Sequence, residues 1–136
     1  MRYADVENGN IVDVDKGDFG PITTYVWSAD SRWIAYTKAD DAQFSSVWVH
    51  SVEDGANRKL TGDFTNDFSP SFDPEGRYLY FLSDRDYNLE FSGYEFNYFY
   101  TDPTRVYAAL LKADGPALFQ PKSDEEEPAG ENDGDG

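Results

Sequence analysis

The 136-residue sequence has no cysteine, one histidine, one methionine, and only 11 lysines and arginines against 27 aspartates and glutamates. Without cysteine neither a disulfide framework nor a thiolate metal site can form. His50 is the only imidazole, and no nucleophile motif accompanies it. Serine–histidine chemistry needs both side chains within hydrogen-bond reach, so His50 is read as a structural or surface residue and no catalytic residue is assigned. Phosphate-binding loops, nicotinamide motifs and Cys/His metal spacings are missing as well, so no cofactor is expected. No run of 18 apolar residues occurs and no basic-then-apolar leader opens the chain, so no membrane partner is expected. The formal net charge of −16 argues against nucleic acid, whose phosphates recruit lysine and arginine.

The acid is unevenly spread. Residues 122–136 hold seven acidic residues and one lysine, while residues 1–121 hold 20 acidic and 10 basic ones. The tail 121–136, PKSDEEEPAGENDGDG, is rich in Pro and Gly and reads as a disordered linker; Asp133 and Asp135 there are read as solvated charge. The acidic body suits solubility, or adaptation to molar salt. Asp13, Asp15 and Asp18 in DVDKGD offer oxygens for a hard cation, but the loop lacks the glycine and the terminal bidentate glutamate of a calcium site, so a polar strand end is the reading.

Against these absences stands an abundance of aromatic residues, 17% of the chain. The segment Phe68–Ser83, FSPSFDPEGRYLYFLS, reads as strand, tight turn and strand, and Tyr25–Lys38, YVWSADSRWIAYTK, repeats it 45 positions earlier. Trp27 aligns with Phe72, Ser28 with Asp73, Ala29 with Pro74, Ser31 with Gly76, Trp33 with Tyr78 and Tyr36 with Phe81. In Asp73-Pro74-Glu75-Gly76 the aspartate bonds its own backbone, the proline presets φ and the glycine suits the last position. The runs Trp33–Tyr36 and Tyr78–Leu82 are apolar at neighbouring positions, so both faces of each strand need cover. Antiparallel sheets covered on both faces and recurring every 40 to 50 residues signal the four-stranded blades of a β-propeller.

The fold class is therefore all-β, with antiparallel four-stranded propeller blades, about two to two and a half of them. Closed propellers have about four to eight, so the chain is expected to be a piece of a seven-bladed ring. An isolated piece exposes sheet faces and strand edges and is expected to self-associate or to be of low stability. Residues 1–19 read as the outer strands of a partial blade, joined at Asn8-Gly9. Residues 20–63 form one blade, with strands at 22–27, 32–38, 46–51 and 58–60. Residues 64–120 form another, with strands at 67–72, 78–83 and 105–111 and a short outer strand at Ala117-Leu118-Phe119. Val106-Tyr107-Ala108 stands where Val47-Trp48-Val49 stood, but at an offset of 59, so about 14 residues are inserted within 84–104.

That insertion, DRDYNLEFSGYEFNYFYTDPT, carries seven aromatic residues. It is read as an extended hairpin packed on the blade edge, or as a contact surface for a peptide or partner, with Arg85, Tyr87, Phe91, Tyr94, Phe96 and Tyr98 as its contact residues. Asp84-Arg85-Asp86 is read first as an inter-strand ion pair, and second as a clamp for a peptide terminus through the arginine fork.

The stretches WSADSRWIAYTK, LTGDFTNDFSPSFDPEGRYLYFLSDRDYN and VYAALLKADGPALFQP together resemble propeller blades of tricorn-type proteases, over about residues 3–121. The turn theme alone is shared with TolB-like propellers and with those of prolyl oligopeptidases. Ala29 and Ser31 depart from the usual proline and glycine. The resemblance implies the last blades of the second propeller of a serine peptidase, a non-catalytic scaffold and peptide conduit whose catalytic domain lies outside this chain. It further implies peptides and the remaining domains of the parent as partners, a homo-oligomeric parent, and a cytoplasmic location, with a periplasmic one open if a leader precedes the segment. The alternative is a TolB-like or stand-alone propeller that binds another protein. An enzyme complete in these residues would hydrolyse peptides as an isolated chain.

Overall fold

The computed structural model describes residues 1–113, 115 and 118; of the outer strand expected at 117–119 only residue 118 is described, and the tail 121–136 lies outside the described residues. Every regular element among them is a strand, and every strand pair is antiparallel. A short hairpin joins β1 (Arg2–Ala4) to β2 (Ile11–Asp13). A four-stranded sheet follows in the order β3 (Tyr25–Trp27), β4 (Trp33–Ala39), β5 (Ser45–Ser51) and β6 (Asn57–Lys59). A three-stranded sheet has β8 (Tyr78–Ser83) between β7 (Asp67–Phe72) and β11 (Arg105–Leu110). Between β8 and β11 the chain leaves to build a separate hairpin, β9 (Leu89–Ser92) with β10 (Asn97–Tyr100).

The two repeat turns close in the same way. Gly76 donates its N–H to the Asp73 carbonyl at 2.8 Å, and Ser31 does the same to Ser28 at 3.0 Å. Both residues have positive φ, +68° for Gly76 and +59° for Ser31, a conformation that glycine adopts freely and an L side chain resists. The first strand of the first unit is shorter than expected: Ile22–Thr24 stay outside β3, just after the Gly20-Pro21 break.

The sheets stack face to face, with β7 lying against β3, β4 and β5. Ala35, Val47 and Val49 of the first sheet meet Leu79 and Phe81 of the second in one core, with Trp33, Phe72 and Tyr107 packed around it. The other face of the first sheet, Ile34 and Tyr36 with Trp48, closes on Val14, Met1 and Tyr3 from the N-terminal hairpin. The pleat explains the division, because successive side chains point to opposite faces. Shifted by the repeat, Ile34 and Tyr36 become Leu79 and Phe81, and both pairs face the preceding unit. The first apolar run thus has one set of residues for the unit before it and another for the sheet after it.

Candidate functional site: an aromatic hairpin on a polar anchor

At the root of the inserted hairpin, Asp67 of β7 is fully buried and receives Arg85 Nη2 at 2.8 Å and the Thr65 hydroxyl at 3.1 Å. Arg85 Nε donates to Ser83 Oγ at 2.7 Å, and its guanidinium lies 4.5 Å from the ring centroid of Tyr107 and 5.6 Å from that of Phe81. Burial pushes the Asp67 carboxyl up, but hydrogen bonds from Ser83, Arg85 and Thr61 outweigh it and hold the group below the usual carboxylate range. Nε and Nη2 of the arginine fork are thus turned inward, to Ser83 and to an ion pair with Asp67, while the side chain stays 35% exposed. Asp84 and Asp86 bond Thr104 Oγ1 at 2.6 Å and Arg105 Nε at 3.0 Å, tying the outgoing and returning chains together.

Above this anchor the register pairs Leu89 with Tyr100 and Phe91 with Tyr98. Directly opposed residues share a face, and residues two apart along a strand share it too, so these four side chains line one side of the ribbon. Tyr87 joins them at the root, its ring 5.6 Å from that of Tyr100, with its hydroxyl bonded to the Phe64 carbonyl at 3.2 Å. Phe96 joins at the tip, 6.5 Å from Phe91, while Phe91 and Tyr98 lie 5.2 Å apart. Every one of these side chains is more than half exposed. Tyr94 occupies the connecting turn and is 94% exposed. Phe96 has φ +52°, a strained conformation for an aromatic residue.

Of the six contact residues expected from the sequence, four therefore gather on one surface, Tyr94 caps its end, and Arg85 sits beneath it as an anchor. Sequence reasoning left Leu89 and Tyr100 out of that set. The period-two spacing of Tyr87-Leu89-Phe91 and Phe96-Tyr98-Tyr100 would have found them, because alternation marks one face of a strand. The remaining candidates are engaged elsewhere. His50 is buried and donates from Nδ1 to Asn57 Oδ1 at 2.8 Å, while Asn57 Nδ2 donates to the Val14 carbonyl at 2.7 Å. In DVDKGD, Asp13 pairs with Arg2, Asp15 accepts from Tyr36 at 2.6 Å and Lys38 at 3.1 Å, and Asp18 lies 3.7 Å from Lys16. Among the described residues no helix is long and apolar enough to cross a membrane.

The stacked antiparallel sheets have counterparts in known proteins. The family described as the tricorn protease second beta propeller domain matches residues 1–135. A tricorn protease of Thermoplasma volcanium is 36% identical over 132 residues, covering 90% of this chain and 13% of that protein. A crystal structure of the tricorn protease superposes with a TM-score of 0.78 at 21% identity, over 85% of this chain and 12% of the larger one. A TolB from Agrobacterium tumefaciens superposes with a TM-score of 0.54 at 18% identity, over 81% of this chain and 36% of that one. The chain therefore spans only about an eighth of the tricorn proteases that it matches. Repeat, stacked sheets and family match agree, and the chain belongs to the second β-propeller domain family of the tricorn proteases.

Proposed function

We propose that this chain is a non-catalytic propeller segment of a tricorn-like serine peptidase, serving as scaffold and as a guide for peptides on their way to a catalytic domain elsewhere in the parent. Its units are a partial blade at 1–19, a blade at 20–63 and a blade at 64–120. The observation that carries the reading is the aromatic hairpin, built on a sheet whose core is shared with its neighbour. A rigid support beneath an exposed apolar strip suits transient contact with passing chains. The partners in this reading are peptides and the remaining domains of a homo-oligomeric parent, and the compartment is the cytoplasm, in keeping with the cysteine-free composition.

The test is made in the parent peptidase, with residues 89–100 replaced by a short glycine turn. The ratio of kcat/KM for a peptide of about 20 residues to that for a short chromogenic substrate should fall, with the short substrate unaffected. Equal loss on both substrates, or no change on either, removes the guiding role. The likeness to TolB supports a second reading, a protein-binding propeller, in which the replacement abolishes capture of a protein partner and no peptidase rate responds.

A further inference from the structure

The hairpin has a charge pattern that its aromatic side chains conceal. Between Arg85 and Arg105 the sequence holds four acidic residues, Asp86, Glu90, Glu95 and Asp102, and no basic one. Both flanking arginines are engaged, Arg85 by Asp67 and Arg105 by Asp86. Glu90 bonds Thr101 Oγ1 at 3.0 Å from the opposite side of the ribbon, and Glu95 lies in the exposed tip. The strip of Tyr87, Leu89, Phe91, Phe96, Tyr98 and Tyr100 thus has no cation of its own, and the hairpin that carries it is acidic, with Glu90 on its reverse face and Glu95 at its tip. Among the described residues β9 and β10 also form a two-stranded sheet with no third strand, which leaves an edge of the ribbon unpaired on each side.

From this we infer that the aromatic face of the β9–β10 hairpin is a docking strip for an extended basic peptide segment. The unpaired edges offer backbone donors and acceptors to an added strand. The rings accept apolar side chains, and their faces attract the ammonium of lysine and the guanidinium of arginine. Glu90 and Glu95 of the hairpin and the charge of −16 on the whole chain steer a cationic partner in and turn an anionic one away. The same charge disfavours a second copy of this chain, which would bring an equally acidic hairpin to the contact. The inference rests on the guiding role only in taking the partner to be a peptide, and its test involves no peptidase.

The probes are two capped, fluorescently labelled 12-residue peptides. One is composed of arginine and valine, and in the other each arginine is replaced by glutamate. Anisotropy titrations use the whole 136-residue chain at low and at moderate salt. The basic peptide should bind at least about 10-fold tighter than the acidic one and weaken on adding salt, as screened attraction must. Phe91→Ser with Tyr98→Ser should weaken it at least about 5-fold, since these two rings form the centre of the contact face. Glu90→Gln with Glu95→Gln should lower the preference for the basic peptide while leaving a salt-insensitive residue of binding. Hydrogen exchange on the unaltered chain supplies a readout independent of variant folding: the basic peptide should slow amides at 89–100. Equal affinity for the two peptides, or protection confined to other strands, overturns the inference. So does a dimer, seen by sedimentation, that forms through the hairpin and is not displaced by the basic peptide.

Discussion

The two sheets use the same strands differently. In the first, Tyr36 and Lys38 of β4 reach out of their own unit: the Tyr36 hydroxyl and the Lys38 ammonium both meet Asp15, which follows β2. In the second, the corresponding polar latch turns back on itself, because Arg85 pairs with Asp67 of the same sheet. A cation lies over the central ring of the third strand in both, Lys38 at 5.3 Å from Trp48 and Arg85 at 4.5 Å from Tyr107. One latch thus fastens neighbouring units, and the other fastens the chain entering the hairpin to its own sheet. The contrast suggests why the second sheet can carry the β9–β10 hairpin without losing its core: the strands leaving and returning are clamped before the hairpin begins.

That contrast can be broken most severely at Asp67. Asp67→Asn leaves Arg85 without its buried partner, and removing one member of such a pair costs about 3 to 5 kcal/mol. Because Arg85 is partly exposed, the lower end of that range is expected, measured as the loss in urea-unfolding free energy. If Asp67→Asn costs no more than a surface substitution, the clamp does not hold the second sheet. Next in size is Tyr36→Phe, which removes the donor to a largely buried carboxylate and should cost about 1 to 2 kcal/mol, read in the same titration. The two latches should also share a pH signature. Burial pushes the Asp15 carboxyl up, but Tyr36, the Lys16 amide and Lys38 hold it below the usual range, as their counterparts do for Asp67. A carboxyl depressed in the folded state contributes stability that is complete above the ordinary aspartate value of about 3.9 and is lost as pH falls through its lowered value. Unfolding free energy should therefore decline with acid below about pH 4, and in Asp67→Asn that decline should be shallower.

The smallest effect compares the two repeat turns. Ser31 bears a side chain at the positive φ that Gly76 takes without strain. Ser31→Gly should stabilise by roughly 0.5 to 1 kcal/mol, and Gly76→Ser should destabilise by about the same or slightly more. Nothing packs within 4 Å of a Cβ built on Gly76, so backbone strain and not crowding decides the sign. Thermal melts of the two variants that moved in the same direction would show that the turns are not equivalent.

These pairs also show how far the sequence could be read. The 45-residue repeat, the apolar runs and the Asp-Pro-Glu-Gly turn are local or periodic signals, and each corresponds to strands that the structure contains. The offset of 59 between Val47 and Val106, where the repeat is 45, marks the stretch in which the structure builds the β9–β10 hairpin. Its internal register was not legible: the pairing of Phe91 with Tyr98 depends on the turn that Ser92–Asn97 adopts around Phe96. Nor was the destination of Arg85, since Asp67 lies 18 residues away and the neighbouring Asp84 and Asp86 were equally eligible by charge.

What the sequence determined alone is the alternation of strand and turn, since the pleat and the turn geometries follow from residues a few positions apart. What only the tertiary structure decided is which face of each strand meets the sheet before it, which carboxylate receives each cation, and which side of the hairpin remains uncovered. Those outcomes depend on distances between segments far apart in the chain. They are settled when the sheets stack and buried charge must find a partner within hydrogen-bond reach.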